Sequence, residues 1–359
     1  MNAAGTRRRV VVTAPGIIEI RPEAVPGLKP AEALVKLCVS GVCGSDKAGA
    51  RGEHAFFRPP YYPGHEVVGQ VIQIGAAVDQ VAVGDLVTAE PTLVCGHCKP
   101  CTTGRENLCD NLEFFGCGYR EGGMADVFTI PAGRLHIVPS GFTLHQAALI
   151  EPLATPVHAV RLAGDLAGKA VAILGAGTIG LLVLAMVRHK GARRIVVTDT
   201  LAGKRDLAVR LGADAVVDAA RSDLAEAVRA ELGESADVVF DCVANQATVQ
   251  AGIQMALKGG AVVLVGGART PVTIDLPVVQ EYQVRLQGAI TYCAEDFRDA
   301  IGLIASGVVD AADFITATFP LSRAGEAFAA MRSGTHVKIL VTAEDDPDGA
   351  MPQAQGGQR

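Results

Sequence analysis

A chain of 359 residues, 49% apolar and 19% charged, has the composition of an ordinary globular protein of about two domains, with enough core to need no disulfide staples. Its 32 Lys and Arg against 38 Asp and Glu leave a net charge of −6, and aromatics make up only 4% with no Trp, which argues against a nucleic-acid partner read by phosphate contacts or base stacking. No apolar run approaches the roughly 20 residues of a membrane span, and the run after Arg7-Arg8-Arg9 is broken by Pro15, Gly16 and Glu19, so no membrane partner and a cytoplasmic location are expected.

Residues 1–155 are rich in Gly, Pro and Val and read as short strands. Val10-Val11-Val12 opens the first strand. Val67–Gly75 alternates apolar and polar residues, and Val83–Val87 follows it. From Gly168 the period changes. Ala170–Leu174 is a short buried run, followed by a Gly-rich turn and an apolar helix over Ile179–His189. Ile195–Asp199, Ala215–Val217, Asp237–Phe240 and Ala261–Val265 continue as strands. Helices through Leu211, near Leu224–Leu232 and near Ala247–Leu257 separate them. This alternation predicts an α/β domain with a doubly wound parallel sheet over 156–290, beside a β-rich domain over 1–155. Residues 291–343, with a helix over Phe297–Ala305 and a strand over Val337–Val341, are expected to return to the first domain. The tail 344–359 is acidic, then Gly/Gln-rich, and reads as disordered.

Nine cysteines stand at 38, 43, 95, 98, 101, 109, 117, 242 and 293. Cys95, Cys98, Cys101 and Cys109 fall within fifteen residues. In a reduced compartment that spacing points to a closed tetrahedral zinc site with no open position, hence structural. A disulfide pair and an iron–sulfur cluster are the weaker readings. Cys43 in Gly41-Val42-Cys43-Gly44-Ser45-Asp46, His65 in Pro63-Gly64-His65-Glu66, and Glu151 in Glu151-Pro152-Leu153-Ala154 are each unremarkable alone. A buried thiol, a turn histidine and a helix-start carboxylate would account for them. Together, Cys43, His65 and a carboxylate would make a three-ligand metal site with an open fourth position. Gly175-Ala176-Gly177-Thr178-Ile179-Gly180 joins a strand to a helix and reads as a dinucleotide loop. Asp199, 24 positions after Gly175, suits a ribose-binding carboxylate and favours NAD over NADP. Lys204 and Arg205 just behind it pull the other way. A helix N-cap before Leu201 is the plain alternative for Asp199.

These motifs, in this order from about Val10 to Val341, resemble the zinc-dependent medium-chain dehydrogenases. The Glu of Glu151-Pro152-Leu153-Ala154 resembles the polyol, threonine and butanediol dehydrogenase branch, where horse-liver-type alcohol dehydrogenases have Cys. The resemblance implies a GroES-like catalytic domain carrying the cysteine lobe over 90–112, and a Rossmann domain. It implies catalytic zinc on Cys43 and His65, with Glu66 and Glu151 contending for the remaining protein position. It gives Ser45 the start of a proton relay, and Val265 and Gly266 a backbone role at the nicotinamide of NAD. It implies hydride transfer between a secondary alcohol (a polyol, diol, amino alcohol or hydroxy acid) and the cofactor, in a homodimer or homotetramer. The pocket walls would come from Ala48–Arg58, Phe114–Tyr119 and Thr291–Cys293. The chain departs from the pattern at Ala48, where many relatives have His, so that the relay would pass through water or His54 or end at Ser45. It departs again at Thr291, where some sorbitol dehydrogenases have Arg. Two other readings compete: a zinc-free enone or quinone reductase of the same superfamily, and a non-enzymatic NAD-binding redox sensor.

Overall fold

The structure, a computed structural model, describes residues 5–344. The chain forms two compact units. One holds residues up to 151 together with those from 310 onward, and the other holds 152–309. Among the described residues no helix is long and apolar enough to cross a membrane.

The first unit is built on the strand Glu32–Val42, buried along its length except at Lys36. Apolar residues on both of its faces let it sit inside a sheet rather than at its edge. It pairs antiparallel with Glu66–Ile74, with Val127–Pro131 and with the C-terminal strand Lys338–Thr342. The last pairing sets Ile339 opposite Val42, and the first sets Gly41 opposite Glu66. The N-terminal strand Thr6–Ala14 forms a hairpin with Ile17–Ala24. The arginines that open it are structural anchors. Arg7 donates to Glu121 at 2.7 Å, Arg9 to Glu23 at 2.8 Å and Arg8 to Asp126 at 2.7 Å.

The second unit carries six parallel strands. Their order runs Ala215–Asp218, Arg194–Asp199, Ala170–Leu174, Ala236–Asp241, Ala256–Leu264 and Arg285–Gly288. This is the doubly wound order whose connection reverses beside Ala170–Leu174, placing the ligand crevice at that strand's carboxyl end. The helix Thr178–His189 leaves from that end, and its Leu181–Leu184 run is buried.

The units divide after 151 and after 309, where the sequence reading put the divisions after 155 and after 290. The return to the first unit begins at residue 310, not 291. The helix Ala294–Ala305 instead stays with the second unit, because Asp296 and Asp299 take up His158 and Arg161 of the helix Ile150–Ala163. The expected disordered tail lies outside the described residues apart from Glu344, which is held in place. It accepts the Ser322 N–H at 3.0 Å and pairs with Arg8 at 3.2 Å.

Candidate active site

Cys43, His65 and Glu66 converge within the first unit, each bringing one donor atom within 4.8 Å of the others. Cys43 caps the short helix Gly44–Ala50, and its N–H donates to Asp46 Oδ2 at 3.0 Å. His65 immediately precedes the strand Glu66–Ile74, Glu66 opens it, and both are buried. Room for the Glu66 carboxylate comes from Gly41. A Cβ built there would lie 1.8 Å from Glu66 Oε2, so the space next to the glycine is filled by the acid. Cys, His and Glu form a donor set suited to zinc, with a fourth tetrahedral position left over.

Glu151 is buried in the helix Ile150–Ala163 and, among the described residues, is in none of the clusters with metal-ligand spacing. Its charge acts on Lys338. Ser45 is half-buried in the first turn of the helix after Cys43.

Three residues of this site were not singled out from the sequence. Lys338 is fully buried, and its ammonium donates to both Glu66 oxygens at 2.7 Å. Burial alone would lower its pKa, yet Glu66, Cys43 and Glu151 together hold it above the ordinary lysine range. Asp46 is fully buried, and burial pushes its carboxyl up to about 6 against the pull of His65. Cys117 Sγ lies 3.4 Å from His65 Nδ1, and burial pushes this thiol up to about 11. Burial opposes protonation of His65, but Cys117, Asp46 and Cys43 outweigh it and raise that imidazole well above its usual range. The signals were faint: a lone Lys in the apolar run Val337–Val341, the last residue of Gly41–Asp46, and one unassigned cysteine.

The second cysteine set is local. Cys95, Cys98, Cys101 and Cys109 bring four sulfurs within 4.8 Å. Cys98 and Cys101 stand 3.4 Å apart, and Cys109 Sγ accepts the Cys95 N–H at 3.3 Å. His97 and Cys98 backbone groups lower Cys95 to about 6, while burial and Cys98 raise Cys101 to about 12. Four thiolates so close would repel one another strongly. A divalent ion that takes all four as thiolates removes the conflict.

In the second unit the glycine loop has the shape its spacing requires. Gly175 turns at φ +98°, and a Cβ on Gly180 would lie 1.8 Å from the Gly175 carbonyl oxygen. Gly177 caps the helix at Thr178 and Ile179, with open space where a side chain would stand. That opening at a helix N-terminus is a cradle for a pyrophosphate. Asp199 accepts the Ala176 N–H at Oδ2 and the Leu201 N–H at Oδ1, both at 2.9 Å. Lys204 is half-buried, with its pKa lowered by burial and supported by Asp199. Val265 and Gly266 both donate N–H to the Asp241 carbonyl at 2.9 Å, which fixes the backbone just past the strand Ala256–Leu264.

Comparison with known proteins agrees with this geometry. The family model for the zinc-binding dehydrogenases matches residues 178–306, and that for the alcohol dehydrogenase GroES-like domain matches residues 29–140. D-xylulose reductase A of Aspergillus niger is 31% identical over 88% of this chain and 90% of its own. The chain belongs to the zinc-dependent medium-chain dehydrogenases. The dehydrogenase falls in their polyol-dehydrogenase-like branch. It superposes with a TM-score of 0.87 on a Sinorhizobium meliloti protein solved bound to NADP, at 33% identity over 94% of this chain and 99% of that one. With the 2R,3R-butanediol dehydrogenase of Bacillus subtilis the values are 0.85, 26%, 94% and 99%. The dehydrogenase is accordingly an oxidoreductase of alcohols or polyols that uses zinc and a nicotinamide cofactor; the zinc-free and non-enzymatic readings are not favoured.

Proposed function

We propose that the dehydrogenase exchanges hydride between a secondary alcohol and NAD, with catalytic zinc held by Cys43, His65 and Glu66 and structural zinc held by Cys95, Cys98, Cys101 and Cys109. The observation that carries the catalytic assignment is the convergence of a thiol, an imidazole and a carboxylate within 4.8 Å in buried surroundings. Bound there, zinc would supply Lewis acidity that lowers the pKa of an alcohol hydroxyl. Glu66, not Glu151, is the carboxylate we assign to the metal. Lys338 orients it, since an ammonium on both oxygens fixes the plane of the carboxylate while leaving lone pairs unused. Glu151 remains an anion near Lys338. Cys117 Sγ lies against His65 Nδ1, and an Asp46 carboxylate oxygen lies within 4.8 Å of both. Ser45 accepts the proton given up by the alcohol and passes it outward. Substrate is a polyol, diol, amino alcohol or hydroxy acid, and the product is a ketone.

The preference for NAD rests on Asp199. Its carboxylate is held by two backbone N–H groups beside the glycine loop, where it can accept ribose hydroxyls and repel a 2′-phosphate. Arg205 does not offset this charge, because it is engaged with the Asp199 carbonyl at 2.7 Å and with Asp218 at 3.4 Å. The Sinorhizobium relative's NADP makes this a discriminating test. Steady-state rates on a panel of secondary alcohols should give kcat/KM at least roughly 100-fold higher with NAD than with NADP, and parity between them would end the assignment. We further place the enzyme in the cytoplasm, on the support of a four-cysteine cluster whose geometry suits a metal ion, a use of thiols that belongs to reducing compartments. We infer a homodimer or homotetramer, on the support of Arg285–Gly288, which among the described residues is an edge strand of its sheet.

A further inference from the structure

A second cluster of reactive groups lies in the nucleotide-binding unit, and none of its members is a metal or cofactor residue proposed above. His158 stands on the helix Ile150–Ala163, and Cys293 and Asp296 stand at the start of the helix Ala294–Ala305. One donor atom from each lies within 4.8 Å of the other two. Asp296 is buried and takes three contacts: the Cys293 N–H at 2.9 Å, His158 Nδ1 at 2.8 Å and Arg161 Nε at 2.9 Å. Arg161 is itself clamped by Glu295 at 2.6 Å and Asp299 at 2.8 Å. The acid is therefore a fixed anchor that sets the orientation of the imidazole.

Cys293 caps a helix of twelve residues in a capping box shared with Asp296. Its sulfur sits at the positive end of the helix dipole with an imidazole nitrogen within 4.8 Å, two features that favour a thiolate. It is half-buried, whereas Cys38 is buried and burial pushes the Cys242 thiol up. A divalent cation is a poor occupant here, because the Arg161 guanidinium already lies on Asp296.

We propose that Cys293 is an activated thiol, with His158 as its proton acceptor and Asp296 as the anchor of that histidine, and that it is a site of reversible thiolation by low-molecular-weight disulfides. The Cys293 thiol gives its proton to His158. The sulfur then attacks the reagent's S–S bond, forming a mixed disulfide as that bond breaks. The departing sulfur keeps the electron pair and takes the proton from His158, so the cysteine is oxidised and the reagent half reduced to a thiol.

The test uses the zinc-loaded protein with glutathione disulfide and maps modified peptides by mass spectrometry. Cys293 is expected to react at least about ten-fold faster than Cys38 or Cys242, with a pH midpoint below the ~8.5 of an unactivated thiol. His158→Gln is expected to slow the neutral-pH reaction roughly ten-fold and to leave the alkaline rate near wild type, a pH signature that a purely structural loss would not give. If that variant does not fold, the wild-type midpoint decides alone. The proposal is overturned by a Cys293 rate no faster than that of Cys38, by a midpoint at or above that of a free thiol, or by a third zinc per chain that Cys293→Ser releases.

Discussion

The four-cysteine lobe and the Cys43–His65–Glu66 cluster both lie in the first unit, yet they are made differently. The lobe spans fifteen residues, and its sulfurs meet because two steps of three and one of eight along a turning backbone keep them close. Its side chains are largely half-buried and touch mainly one another. The cluster instead draws on a helix cap, the start of a strand and, through Lys338, a strand 272 residues further along. Its charges are buried, so each depends on a partner from another element. A local site of this kind can lose function without losing the fold, while a distributed one ties its chemistry to the sheet that holds it.

Replacing Cys43 or His65 with Ala should test that contrast most severely. Turnover is expected to fall by at least about 10³-fold, as loss of the metal's charge removes several kcal/mol of transition-state stabilisation. Metal analysis should show one zinc per chain in place of two, with NAD binding retained by calorimetry; full activity in Cys43→Ala would refute the catalytic assignment. Next in size is Lys338→Met. It strands a buried carboxylate and should cost about 3–5 kcal/mol in denaturant unfolding, and Lys338→Met combined with Glu66→Gln should recover a good part of that loss. Equal stability of the single and double variants would show that the pair is not coupled.

Asp199→Asn probes the other local motif. It should lower kcat/KM with NAD by roughly ten- to a hundred-fold and narrow the gap to NADP, measured by NADH and NADPH formation. The smallest effect belongs to Glu90, next to the strand Thr92–Leu93 that leads into the lobe. Burial works against its charge, but His136, Arg134 and Thr92 outweigh that and hold its carboxyl below the usual range. A depressed folded pKa contributes stability above the unfolded value and loses it as pH falls through the folded one. Glu90→Gln should therefore cost about 1–2 kcal/mol near neutral pH, and the difference should close under acid conditions. A gap that widened on acidification would reverse the assigned sign.

How far the sequence could be read follows the same division. Ala170–Leu174, the helix Thr178–His189 and the strand Arg194–Asp199 stand within a residue of where hydrophobic periodicity put them, since buried parallel strands and their crossover helices are patterned locally. The loop Gly175–Gly180 was legible because its glycines answer steric demands set by neighbours in the chain. Asp296, by contrast, looks like any helix-start acid; its contacts with His158 and Arg161 tie the helix Ala294–Ala305 to the second unit. Cys117 carries no local pattern that marks it as a neighbour of His65.

The order of residues alone determined the class of fold, the cysteine lobe and the dinucleotide turn, because each is governed by interactions over a few positions of chain. Which acid meets Cys43 and His65 was decided by the antiparallel register that sets Gly41 against Glu66 and brings Lys338 alongside. Pairing between strands far apart in sequence leaves no mark on the spacing of either one. A buried charge can therefore be recognised only once its counter-charge is in view.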